Sequence, residues 1–208
     1  MDFKAIDKVG IELEGGWIAG HVLPATARRV GDGSVHVMGQ FAHHGEVVSA
    51  PMATMAEVEA FLTEAYPDAH NQSCGMHVHV SFKSTVDYSR LMTLAFWQYF
   101  SERMNAWGQR VRLPANHLFW QRLAGLNTYC QKVFRPDEQA EARVKTSARY
   151  AQLNYCFRFH GTIECRLAPV FKQARIAVSF TNELCAIYES FLAERSHAEE
   201  FTETGDLA

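Results

Sequence analysis

No apolar run in this 208-residue chain approaches the ~18–20 residues that a helix needs to cross a bilayer. A membrane partner is therefore not expected. The N-terminus does not read as a signal peptide. Excess positive charge is missing too: 20 Lys and Arg face 23 Asp and Glu, for a net charge of −3 and a pI near 6.4. A nucleic-acid binder built on phosphate contacts needs the opposite balance, so nucleic acid is not an expected partner, a local basic groove aside. CxxC pairs are absent. The five cysteines, Cys74, Cys130, Cys156, Cys165 and Cys185, are odd in number and scattered, which fits reduced thiols in a cytoplasmic protein. Repeats and low-complexity segments are also lacking.

What remains is ordinary globular material, 48% apolar and 21% charged, enough for one core. One domain is expected over residues 1–195, with a polar, acidic tail over 196–208 that frays.

Residues 74–82 read Cys-Gly-Met-His-Val-His-Val-Ser-Phe. Strand alternation puts His77, His79 and Ser81 on one face and Val78, Val80 and Phe82 on the other. Two further segments repeat the pattern with charged residues. Val9 to Glu14 sets Glu12 and Glu14 opposite Val9, Ile11 and Leu13. Thr162 to Leu167 sets Thr162, Glu164 and Arg166 opposite Ile163, Cys165 and Leu167. Three strands with one apolar side and one carboxylate, imidazole or guanidinium side predict a shared sheet whose polar face is a metal and phosphate site.

Elsewhere, residues 5–24 predict a strand that breaks at Gly15-Gly16 into a hairpin or long loop. Short strands are expected at Ser34–Met38 and Gly45–Ser49. Thr54 and Glu57 form a capping-box pair ahead of a helix with Met55, Val58, Phe61, Leu62 and Ala65 on its buried side, stopped by Pro67. A long helix is expected from Ser84 to Trp107, with Leu91, Leu94, Ala95, Trp97 and Phe100 as its stripe. Residues 108–148 are less legible; the polar run Arg135 to Thr146 fits either a mobile lid or a solvated helix. Arg149–Phe157 and Thr162–Leu167 predict a hairpin turning at Phe159-His160-Gly161. A two-residue turn would set Cys156 opposite Cys165; a three-residue turn with a glycine bulge would pair Cys156 with Glu164 and Asn154 with Arg166, and turn Arg158 toward the site. A closing helix spans Phe171 to Glu194, with Ile176, Phe180, Leu184, Ile187, Phe191 and Leu192 on one side. Antiparallel strands interleaved with helices predict an α+β fold: a curved antiparallel sheet, helices on its apolar face, a cavity on its polar face.

Glu12, Glu14 and Glu164 lie on polar strand faces, and Glu46 adds a fourth carboxylate. Converging like charges raise one another's pKa unless cations separate them. Mg²⁺ or Mn²⁺ take oxygen ligands and keep positions open for phosphate oxygens, whereas zinc sites use more nitrogen and sulfur. Arg166, two residues from Glu164, suits a transferring phosphoryl group.

The motif order Gly-Ile-Glu-Leu-Glu, Glu-Val-Val-Ser-x-Pro, Cys-Gly-Met-His-Val-His-Val and Thr-Ile-Glu-Cys-Arg, over residues 10 to 166, resembles the amidoligase family. That family belongs to the carboxylate–amine ligase superfamily of glutamine synthetase and glutamate–cysteine ligase. Arg149 to Asn154 looks like a further family element, and Ala50 stands where the family commonly has a second proline. The resemblance implies a half-barrel of antiparallel strands with the active site inside. It implies two or more Mg²⁺ or Mn²⁺ ions bridging ATP and an amino acid, amine or peptide substrate. By similarity, Glu14 and Glu46 hold the metal nearer the substrate, and Glu12, His77 and Glu164 hold the metal at the nucleotide phosphates. His79 touches an ATP phosphate, Arg166 stabilises the γ-phosphoryl group in flight, and Arg149, Asn154 and Arg158 contact phosphate or substrate. The implied reaction is amide-bond formation through an acyl phosphate. Homo-oligomers are common in the superfamily, and amidoligases are often encoded in phages and bacteria. A metal-dependent hydrolase with a water activated by His77 or His79 is the alternative from the residues alone. A non-catalytic structural or assembly protein, for example of a phage virion, is the other.

Overall fold

The computed structural model describes residues 3–141 and 147–203. Six strands form one sheet: β1 (Ile6–Trp17), β2 (Ala27–Val30), β3 (His43–Ser49), β4 (Gly75–Phe82), β5 (Leu153–Cys156) and β6 (Thr162–Pro169). Their order is β2-β3-β1-β4-β6-β5, and every pairing is antiparallel. Helices α1 (Met55–Glu64), α2 (Leu94–Arg110) and α6 (Ala174–Glu203), with the shorter α3 (Leu118–Leu123), α4 (Pro136–Glu141) and α5 (Phe157–His160), complete an α+β fold.

Alternation sorts the strands by face. Val9, Ile11 and Leu13 of β1, Val78 and Val80 of β4, and Ile163, Cys165 and Leu167 of β6 are buried in one core with Phe61, Phe100, Trp107, Phe180 and Leu184. Trp17 Nε1 donates to Ala65 O at 2.9 Å, which fastens β1 to the end of α1. Thr54 and Glu57 close the expected capping box of α1. All five cysteines are free and buried.

Several elements depart from the sequence reading. β1 does not break at Gly15-Gly16 but runs through both to Trp17. A Cβ on Gly15 would stand 2.5 Å from Pro67 Cβ and 2.9 Å from Ala69 O, so glycine here permits a close crossing rather than a break. Ser34–Met38 is not a strand. The sheet edge is instead β2, Ala-Arg-Arg-Val, whose two exposed arginines hide the alternation. The Ser84–Trp107 helix is two pieces. Asp87 caps a 3₁₀ turn at Tyr88–Met92, and Thr93, in extended conformation, caps α2 by accepting from Phe96 N. That restart resets the helical phase: Leu94 and Ala95 are exposed, and Phe96, Phe100, Met104 and Trp107 form the buried stripe.

Within 108–148, α4 is a surface helix with Asp137, Glu138 and Glu141 exposed. Its Gln139 is buried and bonds Ala148 O at 2.6 Å. Residues 142–146 of the expected lid lie outside the described residues. The hairpin takes neither register expected of it. A helical turn, α5, and Gly161 at φ 66° join the strands, pairing Cys156 with Thr162 and Asn154 with Glu164. Closing helix α6 starts at Ala174 and runs to Glu203, so the backbone at 196–203 continues that helix; residues 204–208 of the expected tail lie outside the described residues. Among the described residues no helix is long and apolar enough to cross a membrane.

Candidate metal centre

The polar face of the sheet opens into a cavity of about 320 Å³, within the range of small-molecule sites. Pairing fixes who meets whom. Glu12 of β1 stands opposite His77 of β4, and Glu14 opposite Glu46 of β3. His79 of β4 stands opposite Glu164 of β6, which stands opposite Asn154 of β5. The cavity walls include Glu12, Glu14, Glu46, His77, His79 and Glu164. Arg149, Asn154 and Arg166 line it as well. Arg158 does not belong to this group: it lies exposed on α5, because the helical turn, not a glycine bulge, joins β5 to β6.

Two sets of ligand atoms gather, each within 4.8 Å of one another: Glu12, His77 and Glu164 in one, Glu14, Asp32 and Glu46 in the other. His77 Nδ1 lies 3.1 Å from Glu12 Oε2 and 3.5 Å from Glu164 Oε1, and His77 Nε2 lies 3.8 Å from Glu14 Oε1. Imidazole thus links the two sets. Gly75 N donates to Glu14 Oε2 at 2.5 Å, which holds that carboxylate against the start of β4. Asn154 Nδ2 donates to Glu164 Oε2 at 2.7 Å, and Arg166 Nη1 donates to Glu164 Oε1.

A bulge aims Arg166. Between the pairs Met76–Ala168 and Val78–Cys165 the register shifts, so Arg166 and Leu167 of β6 face the single residue His77. Bulges of this kind redirect side chains beside active sites. The Arg166 guanidinium is further held by Nε donating to Tyr129 O at 3.2 Å and lies 5.6 Å from the Tyr150 ring centroid. Arg149 stacks on the same ring at 4.8 Å.

Charge in the cavity is uneven. Burial raises Glu46, and the charges of Glu12, Asp32 and Glu14 push it further, up to about 8. Burial opposes the ionisation of Glu12, but its contacts with His77 and His79 outweigh that and hold it well below the usual carboxylate range. Burial also works against the charged form of Glu164, and Arg166, His77 and His79 reverse it, so its pKa is lowered. For His79, burial is overcome by contacts with Cys156 and Glu12 and by the charge of Glu164, which push it up to about 10. Its Nδ1 bonds Thr162 Oγ1 at 3.0 Å. Its Nε2 lies 3.3 Å from Glu12 Oε1, off hydrogen-bond geometry, and has no hydrogen-bond partner.

Asp32 was invisible to strand alternation because it sits in a loop. Its signal is the pair of flanking glycines and, across the sheet, Gly45. A Cβ on Gly45 would meet Val30 O at 2.7 Å and Asp32 N at 3.1 Å. Only a glycine lets the loop close down, bringing Asp32 beside Glu46. Ser34 N and Oγ both donate to Asp32 Oδ1 at 2.8 Å and fix the loop. Arg122, Tyr129, Gln139 and Tyr150 also line the cavity from outside the patterned strands.

Each of the two groups could hold a metal ion. One triad is all oxygen, and burial first, then the like charges of Glu12, Asp32 and Glu14, raise the proton affinity of its Glu46. The other contributes a single imidazole. Oxygen-rich sets with few nitrogen ligands favour Mg²⁺ or Mn²⁺ over zinc. No family model matches the chain, and no curated protein or solved structure matches it significantly either.

Proposed function

We propose that the chain is an ATP-dependent carboxylate–amine ligase that works through an acyl phosphate and takes an amino acid or peptide as substrate. The reading brings with it a glutamine-synthetase-like half-barrel for the sheet. The observation that carries it is the pairing of two ligand triads, joined through His77, in one cavity with the guanidinium of Arg166.

Glu12, His77 and Glu164 would hold one Mg²⁺ or Mn²⁺, and Glu14, Asp32 and Glu46 a second. Bound there, such ions supply Lewis-acid neutralisation of phosphoryl oxygens. The chain's own residues do the rest. His79, held cationic, offers Nε2 to a phosphate oxygen. Arg166, fixed by Glu164 and Tyr129, meets charge that develops on the γ-phosphoryl group. The phosphoryl passes to the substrate carboxylate, giving acyl phosphate and ADP. An amine attacks the acyl carbon, the carbon–oxygen bond to phosphate breaks, and amide and phosphate result. The proton that the amine sheds on attack leaves with the released phosphate. The all-oxygen triad weighs against zinc, but the alternative of a metal-dependent hydrolase differs from the ligase in needing no nucleotide.

The test is thermal stability with Mg²⁺, Mn²⁺ or Zn²⁺, each with and without ATP or a non-hydrolysable analogue, in the wild type and in Glu164→Ala. A melting-point rise that needs both Mg²⁺ or Mn²⁺ and nucleotide, and that Glu164→Ala abolishes, supports the ligase. A rise with zinc alone moves the assignment to a hydrolase. No rise under any condition leaves a non-catalytic protein.

A further inference from the structure

Arg122 has no role in the chemistry above, yet it is a guanidinium only 3% exposed, among the most buried charges of the described residues. No carboxylate lies within ion-pair distance of it among the described residues. It faces backbone carbonyls instead: Nη1 donates to Ala168 O at 2.8 Å and to Arg166 O at 3.1 Å, and Nη2 to Cys74 O at 3.4 Å. Its Nε has no hydrogen-bond partner. The charge of Glu14 favours the guanidinium from across the cavity but makes no ion pair with it; burying a guanidinium so is expensive, and an apolar side chain would close α3 onto the sheet more cheaply. The three carbonyls explain the arginine. They lie beside the bulge where the β4–β6 ladder slips, and a planar fork of donors spans them as no other side chain does.

Gln152 completes the arrangement. It is 0% exposed. Its side-chain Nε2 donates to Arg122 O at 2.7 Å and to Leu123 O at 2.8 Å, binding the end of α3. Its own carbonyl accepts from Arg166 N at 3.0 Å. The main chain of Arg166 is therefore gripped on both sides, its N–H by Gln152 and its carbonyl by Arg122. Arg122, Gln152 and Arg166 form a closed triangle of hydrogen bonds. We propose that Arg122 and Gln152 are positioning residues that set the aim of the Arg166 guanidinium into the cavity. The consequence for phosphoryl transfer rests on the ligase reading; the clamp itself does not.

The experiment separates the two. Heteronuclear NMR of arginine Nε–H groups in the full chain reports Arg166 directly, with no nucleotide present, and Arg166→Lys assigns its signal. In the wild type the Arg166 Nε–H, bonded to Tyr129 O, gives a dispersed, exchange-protected signal. Arg122→Lys keeps the fold and a cooperative melt but shifts or broadens that signal. Gln152→Leu, which removes only the side-chain grip on α3, does the same and serves where Arg122→Lys fails to fold. An unchanged Arg166 signal in either folded variant overturns the clamp, because a merely structural arginine would lower stability and leave that signal alone. Mg²⁺–ATP binding is then measured on the same proteins. Arg122→Lys and Arg166→Lys each weaken it roughly tenfold, as loss of a supporting contact does, and the double variant weakens it no further. Additive losses overturn the clamp. A wild type that shows the protected signal and binds no nucleotide sinks the ligase reading and leaves the clamp standing.

Discussion

Glu46 and His79 give the cavity an alkaline weakness when no cation fills it. Glu46 is raised from 4.5 to about 8, first by burial and then by Glu12, Asp32 and Glu14. A carboxyl with a raised folded pKa binds its proton more tightly folded than unfolded. Its contribution is full below about 4.5 and is lost as pH rises through about 8. His79 is raised from 6.5 to about 10, so its contribution is full below 6.5 and is lost toward 10. Glu12 and Glu164 are lowered, so theirs is lost on the acid side, below the ordinary carboxylate range. On these four groups, metal-free protein should therefore be most stable near pH 4.5 and weaken from there to about pH 10, most steeply between about 6.5 and 8, where Glu46 and His79 both contribute. Glu46→Gln should flatten that decline up to about pH 8. Urea midpoints across pH check both statements, and a midpoint rising from pH 6.5 to 9 would refute the assignment. These residues were legible in the sequence because strand alternation displays them, and Glu46 through its motif. Asp32 and Arg122 were not. One depends on a loop folded over Gly45 and the other on a helix end reaching partners 44 to 48 residues away, and neither leaves a period to read.

Elements built from a local signal are the ones the sequence predicted well. Thr54 and Glu57 cap α1 within a single turn, where the side chains and backbone they join are three residues apart. Thr54→Ala removes the acceptor for Glu57 N and should lower unfolding stability by about 1 kcal/mol. Because α1 packs in the core beneath the apolar face, metal affinity should not change. Gly15→Ala makes the contrasting case. Its methyl group would collide with Pro67 and with the Ala69 carbonyl, so β1 must shift, at roughly 1–3 kcal/mol. Glu14 is the preceding residue, and its carboxylate is tied to Gly75 N, so Mn²⁺ binding should weaken together with stability. Urea unfolding and Mn²⁺ titration on both variants separate the outcomes; equal metal affinities would show that β1 absorbs the strain without moving Glu14. Elements governed by distant partners misled the sequence reading. β2 exists because β3 offers it a ladder, although Arg28 and Arg29 give it no apolar face. The α2 stripe rotated because Thr93 restarts the helix, which the hydrophobic period alone cannot reveal.

At the scale of the molecule, the sheet order explains why the two triads belong together. β1 lies between β3 and β4 and supplies Glu14 to one triad and Glu12 to the other. An ion in either triad lowers the negative potential that draws an ion to the other, so the two sites should be coupled and the second ion should bind more weakly than the first. The candidate ligands come from β1, β3, β4, β6 and the loop after β2, so unfolding most of the sheet would destroy both sites, and binding should stabilise the whole fold. At a free concentration of one hundred times Kd, each ion adds roughly 2.7 kcal/mol. For a chain of this length that is a rise of about 5–10 °C in melting temperature per ion, at about 2–4 °C per kcal/mol. Wild type should bind two Mn²⁺ ions in calorimetry. Asp32→Asn, which weakens only the all-oxygen triad, should retain one ion, bound at the other triad, and lose about half of the thermal gain. Two ions retained at undiminished affinity in Asp32→Asn would show that the loop carboxylate is no ligand and that Glu14 and Glu46 act without it. Loss of both ions would show instead that the triads are one site, with His77 as its centre rather than the link between two.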